Sequence, residues 1–152
     1  MDMNQTMKDK MEVEIKLAIA ESVDLDGIWR HPSVVHRLKQ QPTTDFLTSI
    51  YYDTPDHRLL DQGYTLRVRQ NEERWELTVK GMGHSAGSLH ERDEWNISVT
   101  SPEPDFSQLP DEALRNTLQN LMGDQPLEKL MTTRFHRTWS LLSLDQGDLV
   151  EL

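Results

Sequence analysis

The sequence predicts an α+β domain built on antiparallel strands. Three observations predict it. Several segments alternate strictly between polar and apolar residues, the period of a half-buried strand. Turn signals of the Asp-Thr-Pro-Asp and Asp-Gln-Gly-Asp kind separate those segments. Helical spacing of apolar residues is confined to two stretches, near residues 24–40 and 110–122.

The chain of 152 residues suits one domain. Residues 1–11 are polar and aperiodic and read as a disordered leader, leaving 12–152 as the folded part. From there Glu12, Glu14 and Lys16 alternate with Val13, Ile15 and Leu17, which is a strand. Asp24 to Gln40 reads as helix, capped by Asp24 or Asp26 and interrupted at Pro32. A second strand, Leu47–Asp53, stops at Asp53-Thr54-Pro55-Asp56. In the third, Tyr64–Gln70, Arg67 and Arg69 lie opposite Leu66 and Val68. Asn71-Glu72-Glu73 turns the chain into Trp75–Lys80, where Glu76, Thr78 and Lys80 oppose Leu77 and Val79. Gly81–Gly87 reads as a flexible loop. Beyond it, Leu89–Val99 sets Arg92, Glu94, Asn96 and Ser98 against Asp93, Trp95, Ile97 and Val99. Pro110 opens an amphipathic helix to Met122, striped by Leu114, Leu118 and Leu121. Leu130–Leu144 and Leu149–Leu152 are the last strands, joined by Asp145-Gln146-Gly147-Asp148.

Composition removes several function classes. A formal charge of −10 repels nucleic acid and anionic membranes. The absence of cysteine excludes disulfides, thiolate metal sites and a cysteine nucleophile. No apolar run approaches the roughly 20 residues of a membrane span, and no signal-peptide pattern opens the chain; a cytoplasmic protein is expected. No HExxH pairing occurs. Gly81-Met82-Gly83 with Gly87 leads into a strand, whereas a phosphate loop needs a helix N-terminus. Trp75 and Trp95 share the apolar parity of their strands and read as packing.

The chemistry lies on the polar strand faces, which carry charge of both signs. Arg67 and Arg69 take adjacent positions on one face, with Lys80 and Arg92 on neighbouring strands. Glu12 and Glu14 are spaced to share one cation, with Lys16 next along. Carboxylates suit a hard cation such as Mg²⁺ or Mn²⁺. Guanidinium groups suit phosphate, because the planar fork bonds two oxygens at once. Like charges at strand spacing tolerate one another when a multivalent anion lies between them. A small polyphosphate carrying a metal is therefore the expected ligand.

Glu12-Val13-Glu14-Ile15-Lys16 matches the ExExK signature of the CYTH superfamily, the triphosphate tunnel metalloenzymes. The motifs that follow keep the family's order: Tyr51-Tyr52-Asp53-Thr54-Pro55, Leu66-Arg67-Val68-Arg69, Leu77-Thr78-Val79-Lys80-Gly81 and His90-Glu91-Arg92-Asp93-Glu94. The chain most resembles the bacterial inorganic triphosphatases in which this domain precedes a helical CHAD domain. That resemblance implies an antiparallel barrel, a tunnel of eight strands with charged faces inward and helices packed outside. It makes Glu12 and Glu14 ligands of Mg²⁺ or Mn²⁺. It makes Lys16, Arg67, Arg69, Lys80 and Arg92 triphosphate clamps, with Arg69, Arg92 and Glu94 as the catalytic set. Arg134 and Arg137 cannot both face inward on one unbroken strand, and Arg137 is taken as a further clamp.

The resemblance also implies a further glutamate-rich strand beyond Glu151-Leu152. The tunnel is thus expected to be incomplete in this chain, which alone would be inactive, and its unfinished sheet edge favours a homodimer. A class IV adenylyl cyclase and a thiamine triphosphatase share the motifs and are the alternative enzymes. A non-catalytic polyphosphate- or nucleotide-binding module is the alternative of another kind.

Overall fold

The computed structural model describes residues 10–152; for residues 10–12, 84 and 85 it describes the backbone alone. In chain order the elements are β1 (Lys10–Ile15), α1 (Leu25–Arg30), α2 (Pro32–Val35), β2 (Thr43–Asp53), α3 (Arg58–Asp61), β3 (Thr65–Asn71), β4 (Arg74–Ala86), β5 (Leu89–Val99), a 3₁₀ turn (Phe106–Gln108), α4 (Glu112–Met122), β6 (Glu128–Trp139), β7 (Leu141–Ser143) and β8 (Leu149–Glu151). They fall into two compact units. The first runs through Lys16 and takes in Leu47–Arg134; the second comprises Leu17–Phe46 and Phe135–Leu152.

In the first unit the sheet has the order β1-β5-β4-β3-β2-β6. The pairings β1–β5, β5–β4, β4–β3 and β3–β2 are antiparallel. Its apolar face carries two rows of directly opposed residues, Tyr52–Leu66–Val79–Trp95 and Ile50–Val68–Leu77–Ile97. Phe106, Leu109, Leu114 and Leu118 pack onto these rows and complete the core. The α4 helix begins where the Asp111 carboxylate accepts the Leu114 N–H at 2.9 Å. It ends at Gly123, whose φ of 58° suits glycine alone without strain. Trp75 and Trp95 pack against the same core, on the parity expected of them.

The Tyr51–Pro55 segment has a structural task. Asp53 is buried, and its carboxylate accepts the N–H groups of Thr54, Leu59 and Leu60 at 2.7–3.0 Å. The Leu59 and Leu60 N–H groups are donors that a helix N-terminus leaves unpaired, and a carboxylate also complements the helix dipole there. Asp53 therefore ties the end of β2 to α3, a helix too short to persist by itself.

Some expectations are corrected. Residues 1–9 of the expected leader lie outside the described residues, and Lys10 and Met11 belong to β1. The segment read as a Gly81–Gly87 loop is strand as far as Ala86. A bulge between Lys80 and Gly83 restarts the pairing with β5. Pro110 precedes the cap of α4 and is not in its first turn. Apolar strand faces were expected under helices, but Val13 and Ile15 of β1 are 57% and 66% exposed. The helical elements cover the inner strands, and β1 is the sheet edge.

The second unit holds α1, α2 and the β7–β8 hairpin. Asp24 caps α1, and His31 both ends α1 and caps α2, with Pro32 at the first helical position. Leu141 to Ser143 pair antiparallel with Leu149 to Glu151. Gly147 takes a φ of 87° in the connecting turn. Leu38 bridges to Leu142, and Trp139 donates its indole N–H to Asp45 at 2.8 Å. The long strand expected over Leu130–Leu144 is divided at Ser140, whose hydroxyl donates to the Gln40 carbonyl.

Candidate anion-binding site

The second face of the first unit's sheet follows from the same register. Residues directly opposed in an antiparallel pair share a face. Three rows result: Tyr51–Arg67–Thr78–Asn96, Ser49–Arg69–Glu76–Ser98, and Thr65–Lys80–Glu94. Beyond the bulge, Gly83 opposes Arg92, which in turn opposes Glu12 on β1. Strand parity thus carries most of the expected residues to one face, and the register sets their order along it.

The side chains are held by pairs that cross the strands. Lys80 Nζ lies 2.9 Å from Glu94 Oε2, with only 16% and 14% of the two side chains exposed. Glu14 Oε1 lies 2.8 Å from Lys16 Nζ and 3.8 Å from Arg92 Nη2. Burial alone would raise the Glu14 pKa. The hydrogen bond and charge of Lys16, with the charges of Lys80 and Arg92, more than offset this and hold it below the ordinary glutamate value. Arg69 Nε donates to the buried Ser49 hydroxyl at 2.9 Å, and Arg67 Nη2 donates to Thr78 Oγ1 at 3.0 Å. Arg67 Nε is shielded from solvent and has no hydrogen-bond partner among the described residues.

Electrostatically, the face runs against the rest of the molecule. Lys16, Arg67, Arg69, Lys80 and Arg92 outnumber Glu14, Glu76 and Glu94 in a chain whose formal charge is −10. A guanidinium with an unmatched donor and neighbouring cations held at strand spacing favour a multivalent anion. Ser49, Thr78 and Asn96 were not expected as site residues. They are uncharged, and their parity on β2, β4 and β5 was the available signal. The Glu12 side chain lies outside the described residues. Arg137 lies in the second unit, ion-paired with Glu151.

Among the described residues no three His, Cys, Asp or Glu side chains are grouped to hold a metal ion. A Mg²⁺ that bridges phosphate needs only one or two carboxylates, the phosphate oxygens and water completing its shell. Glu14 fits that requirement. Its carboxyl is held below the ordinary glutamate pKa by Lys16, Lys80 and Arg92, so it offers a charged oxygen, and its Oε1 is shielded from bulk solvent.

An antiparallel sheet with helices on its apolar face and interleaved cations and carboxylates on the other makes that second face the candidate site for a polyanion. The CYTH domain model matches residues 10–151, and the chain belongs to the CYTH family. It is 32% identical over 143 residues to an inorganic triphosphatase from Haemophilus influenzae, covering 91% of this chain and 38% of that protein. The chain thus spans well under half the length of that relative. Among solved structures it resembles HpAC1 from Hippeastrum, a proposed adenylyl cyclase described as having a dominant triphosphatase activity. The TM-score is 0.50 and the identity 14%, over 79% of this chain and 62% of HpAC1. At that identity the likeness speaks for the fold alone. No helix among the described residues is long and apolar enough to cross a membrane.

Proposed function

We propose that this domain binds inorganic tripolyphosphate along its charged sheet face and, in the full-length protein, hydrolyses its terminal phosphoanhydride with the help of a divalent cation. The observation that carries the reading is the convergence of Arg67, Arg69, Lys80 and Arg92 on one face of β3, β4 and β5, interleaved with Glu94. Family membership and the triphosphatase relative support it.

In this reading Arg67 and Arg69 hold phosphate oxygens from adjacent rows, and Lys80 and Arg92 extend the grip along the chain of the substrate. Glu14, with Glu12 two residues before it on the same face, would hold the cation. Mg²⁺ or Mn²⁺ held there would supply positive charge beside the substrate and make water a better nucleophile. Glu94, kept in place by Lys80 and Asn96, orients the attacking water. The water oxygen bonds to the terminal phosphorus as the bridging P–O bond breaks, giving phosphate and pyrophosphate. The clamp matters most as charge shifts to the leaving oxygen, because stabilisation there lowers the barrier and not only the binding energy.

A phosphate-release assay on the full-length protein tests this. Turnover of tripolyphosphate is expected to exceed that of thiamine triphosphate and ATP. Chelation with EDTA is expected to abolish it, and added Mg²⁺ or Mn²⁺ to restore it. Equal turnover in EDTA contradicts the metal. Preference for an organic triphosphate moves the reading to the sister activities, and binding without phosphate release moves it to a non-catalytic module.

A further inference from the structure

One set of contacts at the site has no counterpart in the charge pattern. Thr78 is 1% exposed, yet its hydroxyl lies between charged strands. It accepts from Arg67 Nη2 at 3.0 Å and donates to Asn96 Oδ1 at 2.7 Å. Asn96 Nδ2 donates to Glu94 Oε1 at 2.7 Å, and Glu94 Oε2 faces Lys80 Nζ at 2.9 Å. The contacts form an unbroken file across β3, β4 and β5, from one expected phosphate clamp to the expected water-orienting carboxylate.

The file has a direction. A hydroxyl carries one proton, so a threonine that accepts from a guanidinium has that proton to give onward. The strong acceptor is Asn96 Oδ1, since the other candidate, Glu76 Oε1, lies at 3.5 Å. This fixes the amide of Asn96 with its oxygen toward Thr78 and its NH₂ toward Glu94. Asparagine can make this junction because it offers an acceptor on one side and a donor on the other. Leucine would offer neither. An aspartate would set two acceptors face to face. Each link is buried or half-buried, where hydrogen bonds reinforce one another and a broken one strands its neighbours.

We propose that Thr78 and Asn96 are positioning residues that hold Arg67 and Glu94 at a fixed separation, so that the clamp and the water-orienting carboxylate act on one substrate in register. Arg67, Thr78 and Asn96 share a row in which adjacent strands are spaced by about 4.8 Å, so Arg67 and Asn96 stand roughly 10 Å apart across the sheet with Glu94 one row further along β5, a scale suited to a short linear polyphosphate. This rests on the proposed function for the roles of Arg67 and Glu94, and it adds residues that touch neither substrate nor metal.

The test is a double-mutant cycle in the full-length protein. Thr78→Val and Thr78→Ser are made in the natural background and in Arg67→Ala. The tripolyphosphate Kd is read by calorimetry beside kcat and KM. Breaking a charge-assisted hydrogen bond predicts that Thr78→Val raises Kd and lowers kcat, each by about tenfold, and that Thr78→Ser recovers most of the loss. In the Arg67→Ala background the same Thr78→Val change is expected to move Kd by less than about twofold, because the group it positions is gone. Asn96→Leu, which opens the file from its other end, runs in parallel with the same loss expected in the natural background. Equal losses in both Arg67 backgrounds, or unchanged constants for Thr78→Val and Asn96→Leu, would overturn the proposal. A protein that binds tripolyphosphate without releasing phosphate ends the hydrolase reading, and the Kd cycle still decides the relay.

Discussion

Arg69→Ala is expected to lower kcat/KM for tripolyphosphate in the full-length protein by about 10³-fold, the scale at which a transition-state arginine acts in phosphoryl transfer. Arg69 sits on β3 between the buried residues Val68 and Leu66 on one side of the strand and the site on the other. Its Nε is spent on Ser49, which aims the rest of the guanidinium across the sheet face. Removing it deletes a preorganised charge, while the core rows of β3 are untouched, so the melting temperature is expected to stay within a few degrees. Arg69→Lys keeps the charge and loses the fork, and an intermediate loss is expected. Phosphate release beside thermal unfolding checks both expectations. Turnover within threefold of the parent protein would remove Arg69 from the site.

The second large effect concerns a residue with no side chain. Gly83 opposes Arg92 just past the β4 bulge. A Cβ there would stand 2.4 Å from the Glu91 carbonyl oxygen and 2.6 Å from Arg92 Cβ. The first of these is backbone and cannot rotate away. Gly83→Ala must therefore part β4 from β5 at the position that presents Arg92, at a cost of about 1–3 kcal/mol in stability. Weaker tripolyphosphate binding is expected to accompany it. Gly87→Ala is the control. Its Cβ would meet nothing within 4 Å among the described residues, so its left-handed φ of 62° adds only strain of roughly 1 kcal/mol, with binding unchanged. Denaturant unfolding and calorimetry separate the two variants. Indistinguishable behaviour would mean that the close approach at Gly83 does not shape the site.

The gap between what the chain's letters reveal and what the fold adds has physical reasons. Which side chains share a face is a local property of a period of two. The parity of Arg67 and Arg69, of Lys80, and of Arg92 and Glu94 was accordingly legible, and Leu89–Val99 appears with the bounds expected of it. Register is not local. Nothing within β4 says that Thr78 opposes Asn96, or within β2 that Ser49 opposes Arg69, so the uncharged members of the site stayed hidden. The glycines at 81 and 83 were read as loop because glycine usually breaks a strand. Here it permits close contact with β5 through a bulge, a choice made by the partner strand. The α3 helix was missed because it is four residues long and depends on Asp53, whose capping bonds form only once β2 and α3 meet.

The most direct measurement is a crystal structure of the full-length protein with tripolyphosphate bound. The account predicts one elongated anion whose phosphate oxygens lie about 3 Å from the side-chain nitrogens of Arg67, Arg69, Lys80 and Arg92. An anion seated elsewhere, with those four side chains directed into bulk solvent, would contradict it.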